Sequence, residues 1–97
     1  MSSTYRGLQA AYHKKGLYYK EIEMIKMRQE ALGEEFYSPM YLIEIAEVYE
    51  NSIKNKQAAL KFYEKCYDEI KDWYPEESKN KIETKINRLR EDIHFER

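Results

Sequence analysis

The side chains best suited to chemistry in this 97-residue chain are His13, Cys66 and His94, and their spacing joins none of them to a partner. A nucleophilic thiol needs a base beside it, and that base needs a third group to orient it. His13 follows Tyr12 near the end of a helical stretch, and His94 stands close to the C-terminus; neither meets a nucleophile or carboxylate at a known motif spacing. Cys66 shares a helical stripe with Phe62, Tyr63 and Tyr67, which reads as a buried structural thiol. Glu34-Glu35 and Glu76-Glu77 are sequence neighbours, so on a helix they point apart and read as solvated or dipole-complementing charge. No His, Cys and carboxylate group shows metal-ligand spacing, and neither a glycine-rich phosphate loop nor a G-x-S-x-G elbow is present. These residues predict no catalytic group, no metal and no cofactor, hence a protein that is not an enzyme.

With chemistry set aside, composition narrows the class. The length suits one domain able to bury a core without metals or disulfides. Three glycines and two prolines leave little room for a turn-rich β design. No apolar run approaches the roughly 20 residues of a membrane span. The single cysteine forms no internal disulfide, and Met1 to Tyr5 lacks the layout of a secretory signal, so the expected home is the cytoplasm. Ten tyrosines suit helix packing, since the ring stacks while the hydroxyl keeps a wet edge. The net charge of −1 is unevenly spread: residues 1–33 hold six basic and three acidic groups, residues 34–53 hold five glutamates and no basic group, and residues 54–97 hold eleven basic and ten acidic groups. Nucleic-acid binding calls for a basic excess on one face, and none is evident.

Apolar spacing predicts helices throughout. Tyr5, Leu8 and Tyr12 mark a helix from about Thr4 to Lys15, broken at Gly16; a second runs from about Leu17 to Leu32, with Gly33 as its left-handed stop. Ser38-Pro39 opens a third, the serine capping free N–H groups and the proline tolerated in the first turn. Leu42, Ile45, Ala46 and Tyr49 share its inner face, and Asn51 to Lys56 forms a polar break. A fourth helix carries Ala59, Phe62, Tyr63, Cys66, Tyr67, Ile70 and Trp73. A last one starts near Pro75 and shows one narrow stripe, Ile82, Ile86, Leu89 and Ile93. The second helix is different: Tyr18, Ile22, Ile25 and Leu32 form one stripe, and Leu17, Met24, Met27 and Ala31 form another beside it. An apolar surface that wide is either wedged between neighbouring helices or meets another chain or a preceding repeat.

The series Leu42-x2-Ile45-Ala46-x2-Tyr49, followed by Ala58-x3-Phe62, resembles the tetratricopeptide repeat in order and spacing. Leu42 replaces the usual tryptophan, and no proline closes the repeat. Tyr5-x2-Leu8-Gln9-x2-Tyr12 is a looser copy, with Gln9 and Glu21 where small residues are usual. The resemblance implies an all-α, right-handed α-α superhelix of five helices: a hairpin over 4–33, a hairpin over 38–73 and a capping helix over 75–94. It also places small Ala46 and Ala58 where the helices of the second hairpin cross.

In that family the first helix of each hairpin lines a concave ligand face. The resemblance therefore implies a non-enzymatic protein- or peptide-binding adaptor, with Arg6, Ala10, His13 and Lys14 at a basic rim. Met40, Ile43, Glu44, Glu47, Glu50 and Asn51 would form an acidic centre, and Asn87 and Arg90 would lie on the last helix. A basic and apolar segment of a partner protein fits such a floor; the alternative is that the three glutamates are a solvated helix face. Ala10, Glu44 and Glu47 stand where chaperone-tail clamps carry basic or amide groups, so an acidic C-terminal tail is not an expected ligand. Two other arrangements stay open: a homodimer through Leu17, Tyr18, Met24 and Met27, and the C-terminal piece of a longer repeat sensor.

Overall fold

The computed structural model describes residues 2–72 and 74–95, the side chains of residues 2–6 and 36 excepted. Trp73, expected to end the fourth helix, lies outside the described residues, as does the side chain of Tyr5. The described chain is all-α, with no strand: α1 (Ser2–Lys14), α2 (Tyr18–Leu32), a 3-10 turn (Glu34–Phe36), α3 (Met40–Glu47), a π-helical turn (Val48–Ile53), α4 (Lys56–Ile70) and α5 (Glu76–Phe95). Each helix packs on its neighbours in sequence: α1 on α2, α2 on α3, α3 on α4 and α4 on α5. Neither α1 and α3 nor α3 and α5 touch along their backbones. The result is a slab of 40 × 33 × 16 Å with a radius of gyration of 14.1 Å. A compact chain of this length would measure about 12.5 Å, so the helices spread in a row.

Local chemistry sets most of the boundaries. Gly16 adopts φ +75°, and Leu17 N–H returns to Tyr12 carbonyl at 2.9 Å, turning α1 into α2 within three residues. Gly33 also takes positive φ, but its ψ of 178° is extended, so it redirects the chain without the left-handed stop the sequence suggested. Ser38 Oγ accepts from Met40 N–H at 3.3 Å, and Pro39 precedes the first turn, as capping requires. The Cys66 thiol donates to Pro39 carbonyl at 3.4 Å and ties the start of α3 to α4. Lys79 reaches back from α5 to donate to Lys71 carbonyl at 3.1 Å, satisfying an acceptor beyond the end of α4.

The hairpin of α3 and α4 departs from the expected polar break. The helix does not stop at Tyr49 but widens into the π turn, and Tyr49 carbonyl accepts from both Lys54 and, at 2.8 Å, Asn55 N–H. Lys54 then takes the left-handed conformation at φ 66°, and Asn55 Oδ1 caps α4 through Ala58 N–H at 3.1 Å. A π turn holds more residues than an α turn, so the inward face of α4 arrives one residue late. Ala59, fully buried, occupies the helix crossing opposite Ala46, while Ala58 is only half-buried. The sequence reading placed Ala58 there and is corrected by that one residue.

Two apolar clusters form, and α3 contributes to both. Leu42 and Ala46 pack with Ala59, Tyr63, Cys66 and Ile70 of α4 and Ile82, Ile86 and Leu89 of α5. Ile45 and Val48 pack with Ile22 and Ile25 of α2. The rings of Tyr49 and Phe62 stack at 5.5 Å between centroids and pack against both clusters. At about 1.5–3 kcal/mol for each large side chain removed from water, these clusters are the main source of stability. By contrast, the described side chains of α1 are exposed or half-buried. Of the wide apolar surface on α2, Ile22 and Ile25 are buried, Tyr18 and Met24 half-buried, and Leu17 and Met27 remain more than 40 % exposed.

Candidate functional site

The odd-numbered helices stand apart and leave grooves between them on one face. Between α1 and α3 lies a depression of about 230 Å³ whose walls include Gln9, His13, Glu21, Glu44, Glu47 and Asn51. Ala10 and Arg28 border an adjoining recess with His13 and Glu44. Between α3 and α5 lies a larger groove of about 480 Å³, lined by Ile43, Glu47, Tyr63, Lys81, Ile82, Thr84, Lys85 and Arg88. Glu47 borders both.

Charge in the first groove is largely committed to internal pairs. Glu21, the one buried charged residue among those described, meets His13 Nδ1 at 2.9 Å. Arg28, mostly buried, bonds to Gln9 Oε1 at 3.0 Å and forms an ion pair with Glu44. One guanidinium therefore bridges α1, α2 and α3. Glu21 and Gln9 each have a polar partner on the neighbouring helix.

The second groove has an apolar floor and charged walls. Ile43 and the buried side chains of Tyr63 and Ile82 form the floor. Tyr63 donates its hydroxyl to Glu50 at 3.0 Å, and Lys85 Nζ lies 3.6 Å from the same carboxylate, linking the π turn, α4 and α5. Burial first, and the Glu50 charge second, push the Tyr63 phenol well above its ordinary pKa. Glu47, Lys81 and Arg88 have no hydrogen-bond or ion-pair partner among the described residues.

The residues singled out in the sequence separate into groups. Ala10, His13, Glu44, Glu47 and Asn51 gather at the α1–α3 groove, and Ile43 and Glu47 at the α3–α5 groove. Glu50 is half-buried in its pair with Tyr63 and Lys85. Lys14 is exposed at the end of α1, Met40 is half-buried at the start of α3, and the side chain of Arg6 lies outside the described residues. Asn87 and Arg90 are elsewhere: they line a groove between α4 and α5, where Arg90 pairs with Glu64. The apolar stripe of α5 has two flanks, and the one turned to α3 carries Lys81, Thr84, Lys85 and Arg88. Their spacing of three, one and three residues was readable; which neighbour that flank meets was not.

Among the described residues no group of three or more His, Cys, Asp or Glu is gathered that could hold a metal ion. Cys66 is fully buried, and burial together with the Glu69 charge pushes its thiol up to about 11. No described helix is long and apolar enough to cross a membrane. No family model matches the chain, and neither does any curated protein or solved structure.

Proposed function

We propose that this chain is a non-enzymatic protein-binding module of tetratricopeptide type, an adaptor that holds a segment of a partner protein on the face formed by α1, α3 and α5. In this reading α1–α2 and α3–α4 are successive repeats of a right-handed superhelix, α5 caps them, and the odd-numbered helices line its concave side. The Leu42, Ile45, Ala46, Tyr49 and Phe62 spacing supports it, together with the packing of each helix on its sequence neighbours. The observation that carries the functional part is the groove between α3 and α5, where Ile43 is left half-exposed over an apolar floor. A fully buried thiol that stays protonated at neutral pH suits the cytoplasm, the compartment proposed here.

The test is capture from a cell lysate by the wild-type chain and by Ile43→Asp, quantified by mass spectrometry. A partner held by the wild type and lost from a folded Ile43→Asp supports the reading. The same set of partners on both chains refutes it.

One further observation favours association with a second copy or a preceding repeat. Leu8, Leu17, Met27 and Leu32 are each 41–44 % exposed, and all belong to the N-terminal hairpin. The accessible surface of 6884 Å² also exceeds the roughly 5900 Å² of a compact monomer of this mass. Sedimentation equilibrium separates the two: a concentration-independent monomer removes the self-association reading.

A further inference from the structure

We infer that the groove between α3 and α5 takes an amphipathic helix of a partner protein with an acidic flank, its apolar stripe over Ile43, Tyr63 and Ile82 and its carboxylates toward Lys81 and Arg88. This rests on the binding-module reading and specifies the partner's chemistry.

The argument is one of charge accounting at a groove whose floor is apolar. Glu50 and Lys85 neutralise each other at 3.6 Å, and the Tyr63 hydroxyl occupies the same carboxylate. The uncommitted charge is then Lys81 and Arg88 on the α5 wall against Glu47 on the α3 wall. An occupant with carboxylates on its α5 side meets two cations, whereas a basic occupant meets two like charges on that wall. This reverses the basic preference expected from Glu44, Glu47 and Glu50 alone, because Glu44 and Glu50 are paired within the fold. Spacing argues for a helix. Lys81 and Arg88 are seven residues apart on one helical face, about 10.5 Å along the axis. A helix lying alongside α5 repeats at the same period, so carboxylates seven apart match both cations while residues three and four along turn apolar groups to the floor.

The experiment uses two fluorescein-labelled peptides of about 16 residues, long enough for four turns. Both carry leucines at one helical stripe; the flanking positions are glutamate in one and lysine in its twin. Fluorescence anisotropy with the whole chain should show the acidic peptide bound at least about tenfold more tightly than the basic one, with a preference that shrinks as salt rises. Lys81→Glu with Arg88→Glu should reverse the order; both side chains are exposed, so the helix content stays unchanged by circular dichroism. Ile43→Asp should abolish binding of either peptide. Tighter binding of the basic twin, or an acidic peptide indifferent to the double variant, overturns the inference and leaves the binding-module reading standing. Failure of both peptides to bind removes the inference and the groove as the site.

Discussion

Substituting Ala59 and Ala58 separately by leucine measures the register of α4. Ala59 is fully buried between α3 and α4 beside Leu42, Ala46 and Tyr63. Leucine there adds three carbons at a helix crossing that holds alanine on both sides. Overpacking of this kind costs about 1–3 kcal/mol, and two helices forced apart place the result near the upper end. Ala58 is half-buried, and leucine there extends along the helix surface, so its effect should stay within about 0.5 kcal/mol. Urea unfolding followed by far-ultraviolet circular dichroism reads both. With a slope of about 1–1.5 kcal/mol per molar urea for a chain this size, a loss of 2 kcal/mol lowers the midpoint by about 1.5 M. If Ala58→Leu proves the more damaging, the π turn does not shift α4, and the account of this hairpin fails.

Other perturbations read other parts of the molecule. Tyr63→Phe removes a donor from Glu50, and hydrogen bonds to charged groups contribute about 1.5–3 kcal/mol. Lys85 stays with the carboxylate, so the loss should be about 1–2 kcal/mol, and a thermal midpoint unchanged from wild type refutes the linkage. Lys54→Gly relieves a left-handed lysine and should stabilise the chain by up to about 1 kcal/mol, whereas Lys54→Val should destabilise it; chemical denaturation of both decides. Cys66 titrates at about 11 in the fold and lower when unfolded, so the unfolded state loses its proton first and stability falls as pH rises from 9 to 11. Denaturation of Cys66→Ala against wild type isolates that slope, and an identical pH dependence in the two refutes it.

Much of this was legible because local rules act alone at those places. The stripe of Ile82, Ile86 and Leu89, the Ser38-Pro39 start and the positive φ of Gly16 and Gly33 all follow from spacing or from one residue's allowed conformations. The π turn was hidden for the opposite reason. Val48 to Ile53 continues an acceptable helical pattern, and Lys54 gives no sign of a left-handed conformation that glycine or asparagine would have announced. Glu44, Glu47 and Glu50 read as an open acidic strip because the partners of two of them are distant in sequence: Arg28 precedes Glu44 by sixteen residues, and Lys85, paired with Glu50, comes from the last helix. Asn87 and Arg90 were placed on the wrong flank of α5, since a helical wheel shows two sides of a stripe and no neighbours.

The attachment of α1 has a consequence for how the fold breathes. It rests on α2 alone, and from Gly7 to Lys14 it tucks no side chain fully away. Detaching it breaks the contacts of Gln9 with Arg28 and His13 with Glu21 while leaving both apolar clusters whole. Amide deuteration should therefore sweep through α1 by sub-global opening well before α4 yields, and the N-terminal end of the odd-helix face is a hinged wall, whereas the α3–α5 end is built on rigid ground.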